Sequence, residues 1–209
     1  MDTPVIDMHS HVGNDTKSGL VGDSELYLRV LDAAGVDRAP VSCLFYGDVS
    51  RCNDETAAFV AQNPDRFMGV AFVTPYYLEE AIDELERAFD VLGMVFLKLY
   101  PSYVFKPIDD EVYAPILDWC NKRSVIVKCH TQYDTSSLRS AGSNTYTEPT
   151  DPSRFIGLAQ LYPNIRWVLA HAGNSREGQL RAVEAAKSSR NIYLETCTSL
   201  ADHGTIERL

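Results

Sequence analysis

Short apolar runs rich in Val, Ile and Phe alternate along the chain with longer amphipathic segments. The short runs predict strands over 4–9, 39–45, 68–73, 93–99, 125–130, 166–171 and 192–197. The segments between them predict helices over 24–34, 53–63, 78–91, 110–123, 153–162 and 176–187, with a seventh beginning near Asp202. In the third helix Ala81, Ile82, Leu85, Ala88 and Phe89 recur at i, i+3, i+4 spacing. In the fourth, Val112, Tyr113, Ile116, Leu117 and Cys120 do the same behind Asp109 and Asp110, which can cap its start. Gly35 and Gly93 stand where helices should stop. The strands are mostly apolar rather than alternating, as expected when both faces are covered.

Regular β-α alternation implies a parallel sheet. Seven units, no glycine-rich phosphate fingerprint after the first strand, and histidines at several strand ends favour a (β/α) barrel over a doubly wound sheet. No Gly-x-Gly-x-x-Gly or Walker sequence supports nucleotide binding. No composition shift marks a boundary, so residues 1–209 are expected to form one barrel domain. The stretch 131–152, rich in Ser, Thr, Gly, Asn and Pro, reads equally as a loop over the active-site face or as a surface insertion.

The chain has 209 residues, 45% of them hydrophobic and 23% charged, within the range of ordinary globular domains. A formal net charge of −10 argues against nucleic acid or an anionic membrane surface as partner. It leaves a small-molecule substrate open, because a local basic cluster can still bind a carboxylated anion. No apolar run is long enough to span a membrane, and Met1-Asp2-Thr3-Pro4 lacks the basic and apolar regions of a signal peptide. Cys43, Cys52, Cys120, Cys129 and Cys197 are odd in number and irregularly spaced, which fits reduced thiols in a cytoplasmic protein.

Chemistry concentrates at the histidines. In Asp7-Met8-His9-Ser10-His11, strand geometry would point His9 and His11 the same way, and two such imidazoles can chelate one metal ion. Asp7 shares that face and could orient a ligand or join it. His130 ends the fifth predicted strand, His171 the sixth, and His203 follows the seventh. In a parallel barrel such ends converge on one rim, so a metal site there explains the four strand-end histidines better than packing does. Lys98 ends the fourth strand and is a candidate either for binding a substrate carboxylate or for pairing across the barrel. Arg51, Arg139 and Arg154 read as surface charges, Cys129 as packing, and Glu195 as a salt-bridge partner.

The stretches Ile6-Asp7-Met8-His9-Ser10-His11, Phe96-Leu97-Lys98-Leu99-Tyr100-Pro101, Lys128-Cys129-His130-Thr131 and Leu169-Ala170-His171-Ala172-Gly173 resemble the amidohydrolase superfamily. They look closest to its amidohydrolase-related (amidohydrolase 2) branch, which is similar to aminocarboxymuconate-semialdehyde decarboxylase and other nonoxidative decarboxylases. The resemblance implies a TIM-like (β/α)8 barrel. It implies that His9, His11 and His130 ligate a divalent metal and that His171 stands beside it as the catalytic residue. Zn2+ is the first choice by ligand type, with Mn2+, Fe2+ or Co2+ as alternatives.

The family's further ligand, an Asp after strand eight, has no counterpart before Leu209. The expectation is therefore a barrel truncated at its C-terminus, with strand eight missing and Asp202 or Asp7 as poor substitutes for the carboxylate. Two unpaired sheet edges would then invite pairing with another segment or a homo-oligomer. The leading functional expectation is a metal-dependent hydrolase of an ester, lactone or amide bond acting through activated water. The alternatives are nonoxidative decarboxylation of an unsaturated or aromatic carboxylic acid on the same ligands, and a catalytically inactive barrel fragment.

Overall fold

A computed structural model describes residues 3–13, 22–43, 47–133 and 150–197. The chain divides into two compact units, Met1–Val73 with Asp83–Lys98, and Thr74–Ile82 with Leu99–Leu209.

In the first unit, β1 (Ser10–Val12), α1 (Ser24–Ala34), β2 (Ala39–Cys43), α2 (Val49–Gln62), β3 (Phe67–Phe72) and β4 (Phe96–Leu99) follow in order. The strands pair in parallel, with His11 opposite Ser42, Val41 opposite Gly69, and Phe72 opposite Lys98. Helix α1 starts where the Asp23 side chain accepts from the Leu26 N–H at 3.0 Å, and stops at Gly35, whose φ of 67° is left-handed. Val12, Leu31, Ala39, Val41, Phe59 and Phe67 form the core between sheet and helices. The Phe59 and Phe67 ring centroids are 4.8 Å apart, and Tyr27 stacks on Phe67.

One buried polar knot ties α2 to the end of β3. The Asn53 amide donates to the Phe72 carbonyl (3.0 Å) and to Glu84 (2.7 Å), while its oxygen accepts the Phe72 N–H (2.8 Å). Glu84 also takes hydrogen bonds from Arg87 (2.8 Å) and Ser50 (3.1 Å), and Arg87 reaches Asp54 at 2.7 Å. Burial alone would raise the Glu84 carboxyl pKa. The Arg87 and Asn53 hydrogen bonds and the Arg87 charge outweigh it and hold the group below its ordinary range.

In the second unit, α4 (Pro101–Val104), α5 (Ala114–Arg123), β5 (Ile126–His130), α6 (Phe155–Leu161), β6 (Arg166–Ala170), α7 (Arg176–Ser188) and β7 (Ile192–Leu194) follow. Strands β5, β6 and β7 are parallel, with His130 opposite Ala170 and Leu169 opposite Leu194. Phe155 packs edge-on against Trp167 at 5.4 Å. The Asn191 amide donates to the Ala159 and Ile165 carbonyls, closing the end of α6 over the start of β7.

Most predicted elements stand, with displaced ends. The first strand forms at Ser10–Val12 instead of 4–9, because the Asp7 carboxylate folds the preceding residues into a turn. The helix predicted over 78–91 is α only through Glu86 (α3, Leu78–Glu86) and widens to a π-turn at Arg87–Val91. Helix α4 was not anticipated, and β7 stops at Leu194 rather than 197. Residues 134–149 of the long loop, the helix near Asp202, and with them Arg139 and His203, lie outside the described residues. Among the described residues no helix is long and apolar enough to cross a membrane.

Candidate functional site

His9 and His11 meet in the first unit. Their Nε2 atoms are 3.2 Å apart, with ring centroids at 5.1 Å. Two nitrogens bound ~2.0–2.1 Å from one zinc at a tetrahedral angle stand about 3.3–3.4 Å apart, so the spacing fits two ligands of one ion. The Ser42 hydroxyl lies 3.4 Å from His11 Nδ1, on the side away from His9. Asp7 orients rather than ligates: one oxygen accepts the His9 N–H (3.1 Å), the other the Ser10 hydroxyl (2.9 Å). His9 precedes β1 instead of lying in a strand, so this turn, not strand alternation, directs its ring toward His11.

His130 and His171 meet in the second unit, with ring centroids 4.7 Å apart and the rings edge to face. The β5–β6 register explains this, because His130 pairs with Ala170, the residue before His171. The chain then turns through four consecutive left-handed residues, His171 (φ 68°), Ala172 (43°), Gly173 (80°) and Asn174 (63°). Bulky residues rarely hold this conformation, and runs of it gather at functional sites. Thr131 pins the turn: its buried hydroxyl donates to the Ala170 carbonyl (2.7 Å) and accepts the Gly173 N–H (3.0 Å). The turn also lies tightly on the start of α7. A Cβ on Gly173 would stand 2.2 Å from the Gly178 carbonyl oxygen, and one on Gly178 would stand 1.8 Å from that of Gly173.

Glu195 closes the other side of this turn. It is 8% exposed, and its carboxylate accepts the main-chain N–H groups of both His171 (3.2 Å) and Cys197 (2.5 Å). His171 Nδ1 in turn lies 3.1 Å from the Cys197 carbonyl. Sequence reasoning took Glu195 for a salt-bridge partner and missed this role. A carboxyl directly after the apolar run Ile192-Tyr193-Leu194 was the available signal.

Lys98 in β4 is 1% exposed. Lys128 in β5 is equally buried and was not singled out, although by strand alternation it shares the face of His130. A charged lysine inside a strand is rare enough in cores to have been flagged. Tyr100 stacks on Tyr103 at 4.8 Å and lies 5.9 Å from His130. Cys129 is buried, with its thiol near the His130 carbonyl, as packing predicts. Arg51 pairs with Glu55 and Arg154 with Asp109, each at 2.8 Å, so both carry structural ion pairs on the surface. None of the five cysteines forms a disulfide.

Comparison with known proteins adds three findings. The family model described as Amidohydrolase matches residues 6–205. The 2-amino-3-carboxymuconate-6-semialdehyde decarboxylase of Dictyostelium discoideum is 27% identical over 148 residues, 66% of this chain and 41% of that one. The chain thus spans about two fifths of the length of this curated relative. Among solved structures, 5-carboxyvanillate decarboxylase from Sphingomonas paucimobilis is similar with a TM-score of 0.70 at 19% identity, over 92% of this chain and 80% of that one. A dihydroxybenzoic acid decarboxylase from a Polaromonas species, solved with bound manganese and the inhibitor 2-nitroresorcinol, gives a TM-score of 0.64 at 16% identity, over 97% and 89%. At these identities the likeness is one of fold, and the parallel β/α alternation is consistent with the TIM-barrel class.

Proposed function

Because the chain belongs to the amidohydrolase family, we propose that it serves metal-dependent, nonoxidative decarboxylation of an unsaturated or aromatic carboxylic acid. The observation that carries the reading is the His9–His11 pair, whose Nε2 atoms stand at the separation of two ligands on one ion. Decarboxylation takes precedence over the expected hydrolysis of an ester, lactone or amide because the relatives named above are decarboxylases.

In this reading His9, His11 and His130 hold the metal, zinc by ligand type or manganese as in the similar Polaromonas structure. When bound, the ion would orient the substrate and polarise the group that accepts electron density as carbon dioxide leaves. His171, once it has taken up a proton at Nε2, delivers it to the carbon whose bond to the carboxylate breaks, so the electron pair left on that carbon becomes a C–H bond. Lys98, buried in β4, is in this reading the side chain that binds the substrate's carboxylate. Five cysteines without a disulfide suit a reducing compartment such as the cytoplasm.

The test begins with metal content per chain by elemental analysis, wild type beside a His9→Ala, His130→Ala double variant. Metal-loaded protein is then screened against conjugated and hydroxylated aromatic acids, and carbon dioxide release is compared with ester or lactone cleavage. Near one metal per chain, lost in the double variant, with carbon dioxide release abolished in His171→Ala, supports the proposal. Cleavage of esters or lactones without carbon dioxide would replace it with the hydrolase reading. A folded chain that binds no metal would sink both. Lys98→Met is expected to raise KM for the acid about tenfold while leaving kcat within about threefold.

A further inference from the structure

We infer that Glu195 is a positioning residue that fixes the tautomer and direction of the His171 ring by clamping two separate stretches of main chain. The kinetic part rests on the proposed reaction, while the structural part stands without it. A carboxylate offers acceptors only, and Glu195 uses one oxygen for the His171 N–H and the other for the Cys197 N–H. These two residues are 26 positions apart in sequence. Holding them to one buried carboxylate sets the Cys197 carbonyl 3.1 Å from His171 Nδ1. A carbonyl cannot donate, so Nδ1 must carry the hydrogen in this contact. The lone pair of the neutral ring is therefore at Nε2, the atom that must take up and release a proton.

The clamp also explains how a non-glycine residue stays left-handed at the start of the turn. The His171 N–H is directed at Glu195 while its φ stands at 68°, and the Glu195 N–H is itself anchored to the Leu169 carbonyl at 3.1 Å. The β6–β7 ladder thus carries the carboxylate, and the carboxylate carries the turn. Glutamine at position 195 would offer one acceptor and one donor group, so the two N–H groups could not both be met. One end of the clamp would open and the carbonyl opposite Nδ1 would lose its place.

The test uses the zinc-loaded, 15N-labelled protein and two-bond proton–nitrogen correlation of its imidazoles, with His171 assigned by its loss in His171→Gln. The wild type is expected to show the Nδ1–H pattern, and Glu195→Gln a shift toward the Nε2–H or averaged pattern. Glu195→Asp, which keeps both acceptor oxygens, should return part of the wild-type pattern. The kcat for carbon dioxide release should fall about 10–100-fold in Glu195→Gln, with KM and metal content little changed. If Glu195→Gln does not fold, Cys197→Pro decides: it removes the second N–H donor while keeping the carbonyl, and should shift the pattern the same way. An Nε2–H pattern in the wild type, or an unchanged Nδ1–H pattern in the folded variant whatever its stability, overturns the inference. A shifted tautomer in a protein that releases no carbon dioxide from any acid would count against the decarboxylase reading and leave this one standing.

Discussion

His11→Ala tests the metal pair most directly, and its size can be worked out beforehand. Zinc held by protein ligands gains about 10–16 kcal/mol in small structural sites, so each of four ligands is worth roughly 2.5–4 kcal/mol. Removing one should weaken zinc binding by about 10²–10³-fold. At free zinc a hundredfold above the wild-type Kd, linkage stabilises the wild type by about 2.7 kcal/mol. A variant weakened a hundredfold keeps only about 0.4 kcal/mol of that. The lost difference, about 2.3 kcal/mol, corresponds to roughly 5–9 °C in Tm for a chain of this size. Calorimetric zinc titration and paired melts, with and without zinc, measure both quantities. Ser42→Ala should cost far less, about tenfold in Kd, because its hydroxyl stands 3.4 Å from His11 Nδ1 and only steadies the ring. Equal zinc-dependent shifts in wild type and His11→Ala would refute the reasoning. The 3.2 Å spacing would then be a simple N–H···N bond between neutral rings.

Three further outcomes are expected. Glu84→Gln should lower stability at pH 7 by about 1.5–3 kcal/mol, the range for hydrogen bonds to a buried charge. Since the folded-state pKa of Glu84 is depressed, its contribution is complete above the ordinary carboxylate pKa and disappears as pH falls through the lower folded value. Urea unfolding from pH 7 to pH 3 should therefore show a steeper acid loss in wild type than in the variant, and parallel curves would exclude the assignment. Gly178→Ala should destabilise by about 1–3 kcal/mol through overpacking, read as a lower urea midpoint, because its Cβ would lie 1.8 Å from the Gly173 carbonyl. The Cys120 thiol, whose pKa burial pushes up to about 12, should resist iodoacetamide at pH 8 until the protein is unfolded, as peptide mass mapping would report.

The sequence disclosed the fold wherever a local rule and the tertiary environment agree. Helix α1 falls on its predicted bounds because Asp23 caps it and Gly35 ends it. The first strand was only partly legible: Ile6 bridges Arg38 in parallel, but Val5 and Ile6 are 52% and 41% exposed and the Asp7 turn interrupts the pairing before it resumes at Ser10. The π-turn at Arg87–Val91 was unreadable from a 3.6-residue period. Arg87 is held there by Glu84 and Asp54, residues a helical pattern does not weigh. In the site, the approach of His130 to His171 was foreshadowed by strand ends, since the β5–β6 register alone brings them together, whereas the His9–His11 pair depends on the Asp7 turn. The left-handed run from His171 was hidden, because histidine and alanine give no local warning of positive φ. The face of Glu195 was hidden for a related reason: the groups it serves belong to two distant stretches of chain.

The mutual approach of Gly173 and Gly178 has an evolutionary consequence. Each glycine occupies ground that a side chain on the other would need, so neither can be exchanged alone without displacing the turn that begins at His171. The two positions are therefore coupled by epistasis. A lineage can alter the entry to α7 only by remodelling turn and helix together, which slows neutral drift beneath the histidine. Variant libraries aimed at new substrates should hold this pair constant, and should search instead at exposed positions such as Tyr77.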